Sequence, residues 1–386
     1  MSELQFRSKI SRNCRYLLAC ILLTPFAVQA QAPVAGSSGP QAREAAAAVT
    51  AYWTPERMAS AVPMDVLADA STMVSAPTTT PSEVGPPESS PGKPPQFGSV
   101  STAIKPAVNS ASAAGASIPG PASLTVYPYP FTRYQVPNLL YDNLSSNFVY
   151  PWTTIGKLFF TDPTTGGNFV CSASVVRPHL LLTARHCVFN YRDPSGGYFY
   201  SNEMFYPGYS STNPGSNLGL GGGWAARILY TWVSGAPNYR YDIGFIQTFD
   251  DDATGCGGSN LGSPIEAYTG FLGWAYGYDP SSQHWDELGY PQAPPFNGQD
   301  MQVSESSTGA VNPLGVQPDT VEVGSDLTGG SSGGPWLLFF NTANWANGLN
   351  SFKWTNPAHP NAMNGPVFYQ YNFGNLLGGA QGLACP

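Results

Sequence analysis

From about residue 145 onward the chain is written in short bursts. "TIGKLFF", "FVCSASVV", "HLLLTA", "ARILYTWV", "DIGFIQTF", "WLLFF" and "GLNSFKW" are β-rich runs parted by Gly, Pro, Asn and Asp. Branched and aromatic runs bounded by turn formers read as strands, and no long stretch here carries helical periodicity. Many short strands with turn signals between them predict an all-β sandwich or barrel. The roughly 240 residues involved are too many for one sandwich and suit two small barrels. Composition agrees: 42 Gly, 37 Pro and 13% aromatic residues fit a turn-rich β protein, and only 10% of residues are charged, against about 25% in an average soluble chain. The net charge is −8 with no Lys/Arg block, so the electrostatic footprint of a nucleic-acid binder is missing.

The N-terminus has the grammar of an export signal. Arg7, Lys9, Arg12 and Arg15 precede the apolar run "YLLACILLTPFAV", and Val28-Gln29-Ala30 supplies small residues for cleavage after Ala30. The run is shorter than the ~20 residues of a comfortable membrane span. Residues 1–30 are therefore expected to be removed, leaving a secreted or periplasmic protein, monomeric and free of the membrane. Cys171, Cys187, Cys256 and Cys385 remain after cleavage, and four cysteines in an oxidising compartment allow three pairings. No Cys-x-x-Cys is present and there are only four histidines, a poor basis for a zinc site.

Residues 31–71 hold one modest helical candidate, "PQAREAAAAVTAYW", and read as a propeptide-like segment. Residues 72–125 are rich in Ser, Pro, Ala, Gly and Thr and have too few large apolar residues for a core, which marks a linker. The globular part divides into a first barrel, 126–255, and a second, 256–386.

Chemistry concentrates in "LTGGSSGGPW", residues 327–336, which fits Gly-x-Ser-x-Gly in two registers, around Ser331 and around Ser332. An α/β-hydrolase elbow needs an acid and then a histidine downstream. After Ser332 there is no Asp or Glu, and His359 is the sole histidine. Upstream, "CSASVVRPHLLLTARHC" carries His186 and "YRYDIGFIQ" carries Asp242 just before an apolar strand. Asp193 and the Asp250–Asp252 run are other acids between His186 and Ser332.

The three motifs, Thr-Ala-x-His-Cys, Asp before an apolar strand and Gly-x-Ser-Gly-Gly-Pro, in the order His186, Asp242, Ser332, resemble the chymotrypsin-like serine peptidases. The bacterial secreted branch that includes the glutamyl endopeptidases looks closest. The resemblance spans about residues 150–355 and implies two antiparallel β-barrels with the active site in the cleft between them. It also implies polypeptide substrates and no metal or organic cofactor. Pro335 sets the register, so Ser332 is the expected nucleophile, His186 its base and Asp242 the group that holds the imidazole tautomer. The backbone N–H groups of Gly330 and Ser332 are expected to hold the oxyanion. Cys171 is placed to bridge Cys187 beside His186, adding about 3 kcal/mol by loop closure. Cys256 and Cys385 then either pair or stay free.

Two departures bear on activation and specificity. Ser331 stands where many relatives of animal origin carry an Asp that pairs with the freed N-terminus. Activation must differ here, and a mature N-terminus is expected within 120–150. Asp326 falls where an acid at the pocket base selects Lys or Arg. Lys353, on the pocket-wall strand with Ser351, favours acidic residues instead. Asn350 replaces the histidine that glutamyl-specific relatives use on that strand, and Ser351 is also placed to support Asp242. Two other functions fit the same fold: an esterase, and a non-catalytic secreted binding module, against which the intact triad speaks.

Overall fold

The computed structural model describes residues 28–31, 40–72, 84–96, 128–136, 149–210, 223–233, 238–249 and 264–382. Six strands make a first barrel: β1 (Ile155–Thr161), β2 (Asn168–Arg177), β3 (Leu180–Thr183), β4 (Ser201–Pro207), β5 (Trp224–Trp232) and β6 (Gly244–Thr248). They run antiparallel in the order β5-β4-β1-β2-β3-β6, and β6 pairs back onto β5. Closure removes every free edge among the six. All seven residues of β1 are buried, which a half-solvated strand could not achieve. Part of the cover comes from upstream: Trp53 packs on Phe159 with ring centroids 5.3 Å apart and donates through Nε1 to the Asn202 carbonyl.

A second group follows: β7 (Gly273–Tyr276), β8 (His284–Gly289), β9 (Gln302–Val311), β10 (Thr320–Gly324), β11 (Pro335–Leu338), β12 (Trp345–Leu349) and β13 (Ala362–Pro366). The order is β13-β10-β9-β8-β11-β12, with β7 parallel to the outer side of β12. The chain leaving β12 returns to β13, where Ser351 N and Phe352 N both donate to the Asn364 carbonyl at 3.0 and 3.1 Å. That contact closes a second ring. Trp285 and Trp336, 5.5 Å apart, fill its core with Val321, Val323 and Met363. The all-β, two-barrel expectation is met.

The surrounding segments attach to available edges and faces. The helical candidate forms a helix over Pro40–Tyr52. A second, Pro55–Ser60, starts with Thr54 capping the Arg57 amide and Pro55 in its first turn. Val28–Gln31 pairs with β5 and straddles the cleavage point expected after Ala30. Inside the Pro/Ser-rich stretch Glu88–Ser90 pairs with β7, and Phe131–Gln135 pairs with β9. A helix over Asn375–Gly382 is among the elements with no counterpart in the sequence reading. It follows the second barrel yet buries Leu376, Leu377 and Ala380 in the core cluster that contains the first. Cys256 and Cys385 lie outside the described residues.

Candidate active site

His186 sits in a single 3₁₀ turn, Arg185–Cys187, that leaves β3. Asp242 closes a matching turn, Tyr239–Tyr241, just before β6. Because β3 and β6 pair with Thr183 opposite Gly244, the two turns emerge side by side at one barrel end. Asp242 uses both oxygens on the same residue: Oδ1 accepts from the His186 backbone amide at 3.0 Å and Oδ2 faces Nδ1 at 2.8 Å. Ser351, arriving from the second barrel, donates its hydroxyl to Oδ2. Asp242 is fully buried. Burial by itself would push its carboxyl up, but the His186 charge and hydrogen bond, the Arg185 charge and the Ser351 hydroxyl together hold it below the usual range. An ionised acceptor at Nδ1 fixes that nitrogen as N–H and leaves Nε2 as the lone pair, the tautomer a base needs.

The disulfide joins Cys171 of β2 to Cys187, as the resemblance implied. Cys171, His186 and Cys187 bring their ligand atoms within 4.8 Å of one another. A disulfide offers no thiolate and Nδ1 is taken by Asp242, so this chemistry does not suit a metal.

Ser332 lies between β10 and β11 in a loop held almost entirely by backbone. Gly334 N donates to the Ser331 carbonyl, Gly333 N to Asn350 O, and Ser331 N to Thr328 O. Gly330 and Gly333 have φ of +99° and +82°, values that L side chains rarely adopt. A Cβ on Gly333 would also meet Thr183 Oγ1 at 2.1 Å. The loop is therefore tight against the first barrel. Ser172 of β2 makes the join: its N–H donates to Ser332 O at 2.7 Å and its hydroxyl to Gly330 O at 3.0 Å. Cys187 Sγ is 3.7 Å from the same Ser332 carbonyl, so the residue after His186 touches the backbone of Ser332. Ser331 turns away and donates to Thr328 O.

The residues offered for specificity occupy two places. Asp326 is paired with Arg133, Nε to Oδ2 at 3.0 Å, and Arg133 also bonds Gln302 and lies over the Phe296 ring. Lys353 points its Nζ at Ser325 O, 3.5 Å away. Burial pushes its ammonium down, opposed by Asp65, Glu287 and Asp326. Asn350, read from sequence only as a missing histidine, is fully buried and anchors the Ser332 loop: it accepts from Trp336 Nε1 at 2.7 Å and donates to Leu288 O and Ser331 O. Asp193 bonds Ser195 and takes no part here, and His359 lies against Glu322.

Sequence reasoning missed the occupant of the cleft. Gly330 N donates to the Met64 carbonyl at 3.0 Å, and the Ser332 hydroxyl faces the same oxygen at 3.4 Å. Nothing in "PMDV" announces such a placement, because any residue can offer a carbonyl.

No family model matches the chain, and no curated protein does. Among solved structures, it is similar to a thermostable serine protease, AL20, from an extremophilic microorganism: 29% identity, TM-score 0.48, covering 59% of this chain and 97% of that one. It is similar to the protease Anisep of Arthrobacter nicotinovorans at 27% identity and TM-score 0.45, covering 56% and 90%. A Glu endopeptidase is similar at 18% identity and TM-score 0.46, covering 65% and 96%.

Proposed function

We propose that the chain is a secreted serine endopeptidase of the chymotrypsin-like class, cutting peptide bonds through an acyl-enzyme on Ser332. The observation that carries this reading is the Asp242–His186 pair, with a buried carboxylate at 2.8 Å on Nδ1, together with a loop bent by the positive-φ glycines Gly330 and Gly333 on either side of Ser332. In the reaction His186 Nε2 takes the Ser332 proton as Oγ bonds the scissile carbonyl carbon, and returns it to the departing amine. A water then repeats the cycle to release the acid. The oxyanion sits at the Gly330 and Ser332 amides. Export, signal removal and a propeptide belong to the same reading, supported by the disulfide and the apolar N-terminal run. On specificity, Asp326 is already paired with Arg133, which blunts it as the anion a basic substrate needs, and Lys353 is a cation beside it. The proposal therefore extends to the glutamyl-specific branch, with acidic residues preferred on the acyl side of the cut.

A fluorophosphonate probe followed by mass spectrometry tests the nucleophile. Label on Ser332, lost in His186→Ala, is expected. Label on Ser331 would overturn the assignment. A peptide library run in parallel tests the acidic preference, which cleavage after Lys or Arg would refute.

A further inference from the structure

The segment from Ala61 to Asp69 crosses the cleft as an extended strand and is tied on both sides of the reacting centre. Val62–Pro63 pairs with β2 and Leu67–Ala68 with Lys353–Trp354. On the first side Gln292 Nε2 donates to Ala61 O at 2.6 Å, and Met64 N donates to Val170 O at 2.9 Å. Beyond Met64, Lys353 N donates to Val66 O and Thr355 N to Ala68 O, at 3.0 and 2.9 Å. Val66 and Ala68 are buried with Tyr239, Phe352 and Trp354. The strand also leans on the nucleophile loop: a Cβ at Gly329 would fall 2.8 Å from Asp65 Cβ.

At the centre, the Met64 carbonyl takes the Gly330 N–H and faces the Ser332 hydroxyl. His186 Nε2 has no hydrogen-bond partner among the described residues. Attack requires the opposite allocation, with the serine proton on Nε2 and the oxygen lone pair aimed at carbon. Here the Ser332 hydroxyl faces the Met64 carbonyl oxygen at 3.4 Å instead. The helices before the strand are packed on the first barrel through Trp53 and Met58, so the strand is delivered at a high effective concentration.

We propose that Ala61–Asp69 is an intramolecular inhibitor, with the Met64 carbonyl seated in the oxyanion position, so that the intact chain is latent until this segment leaves. The inference rests on the serine peptidase reading and adds how that site is silenced.

The test measures the rate at which a fluorophosphonate labels Ser332 in the full-length, uncut chain and in its Val66→Asp variant. A carboxylate at this buried position expels the strand, and labelling is expected to accelerate by about tenfold or more. Equal rates would overturn the inhibition while leaving the peptidase reading intact. No label in any form would remove the peptidase reading and the inhibition with it. A synthetic Ala61–Asp69 peptide, added at millimolar concentration to the Val66→Asp chain, covers the case of a folding defect in the variant. It is expected to slow labelling and to be recovered whole. No slowing, or cleavage after Met64, would also overturn the proposal.

Discussion

Asp242 and Glu287 are both fully buried carboxylates, one associated with each barrel, and their surroundings shift them in opposite directions. Asp242 is held below the ordinary range, because His186, Arg185 and Ser351 outweigh its burial. Glu287 is pushed well above it: burial dominates, and the Ser325 hydrogen bond and the Lys353 charge do not compensate. Depth alone decides neither outcome. What separates them is whether donors and cations are arranged around the carboxylate, and only the first is built to stay an anion.

That contrast can be attacked in order of effect. Ser332→Ala should be the largest blow, lowering kcat by about 10⁵- to 10⁶-fold and leaving the fold and the melting temperature nearly unchanged. Asp242→Asn should follow at about 10⁴-fold in kcat, since an amide presents the wrong partner to Nδ1 and destabilises the imidazolium. A loss under about tenfold would mean that the charge of Asp242 is not used. Ser351→Ala removes one donor of several and should cost about tenfold, read as a kcat change with KM little altered. Glu287→Gln should be the mildest, within about 1 kcal/mol of the parent near pH 4, because a neutral carboxyl is there replaced by a neutral amide.

The two acids also predict opposite pH signatures in chemical denaturation. Between its unfolded value of about 4.3 and its raised folded value, Glu287 binds more protons folded than unfolded. Its contribution is complete below about pH 4.3 and declines as pH rises through the folded value. Glu287→Gln should therefore gain stability relative to the parent as pH rises, by at most about 1.4 kcal/mol per pH unit. Asp242 contributes in the other sense: its stabilisation is present above about pH 3.9 and is lost as pH falls through its lowered folded value. A parent and a Glu287→Gln variant with parallel stability curves between pH 5 and 8 would show that Glu287 is ionised in the fold.

The sequence displayed the proposed triad because such chemistry ties residue type to order along the chain: His186, Asp242 and Ser332 had few substitutes. The barrels were legible because strands buried against one another need runs such as "KLFF" and "DIGFIQTF". Support for the site was much less visible. Ser172 and Asn350 act through the positions of a hydroxyl and an amide relative to neighbouring backbone, and these types are common in loops of no consequence. Arg133 meets Asp326 only because Phe131–Gln135 finds the free edge of β9. The helix at Asn375–Gly382 was hidden by its Gly378-Gly379 pair, a further glycine at 382 and its short length, and burial on the first barrel, rather than propensity, forms it.

Ser172 carries a consequence for how the molecule fails. Its amide and hydroxyl belong to the first barrel yet clasp Ser332 O and Gly330 O of the second, while the same hydroxyl accepts from Tyr290 N at 2.8 Å. The barrels cannot part here without releasing the strand-to-strand loop that holds the nucleophile. Separation of the two halves would therefore also strip Ser332 and Gly330 of the hydrogen bonds that fix their backbone.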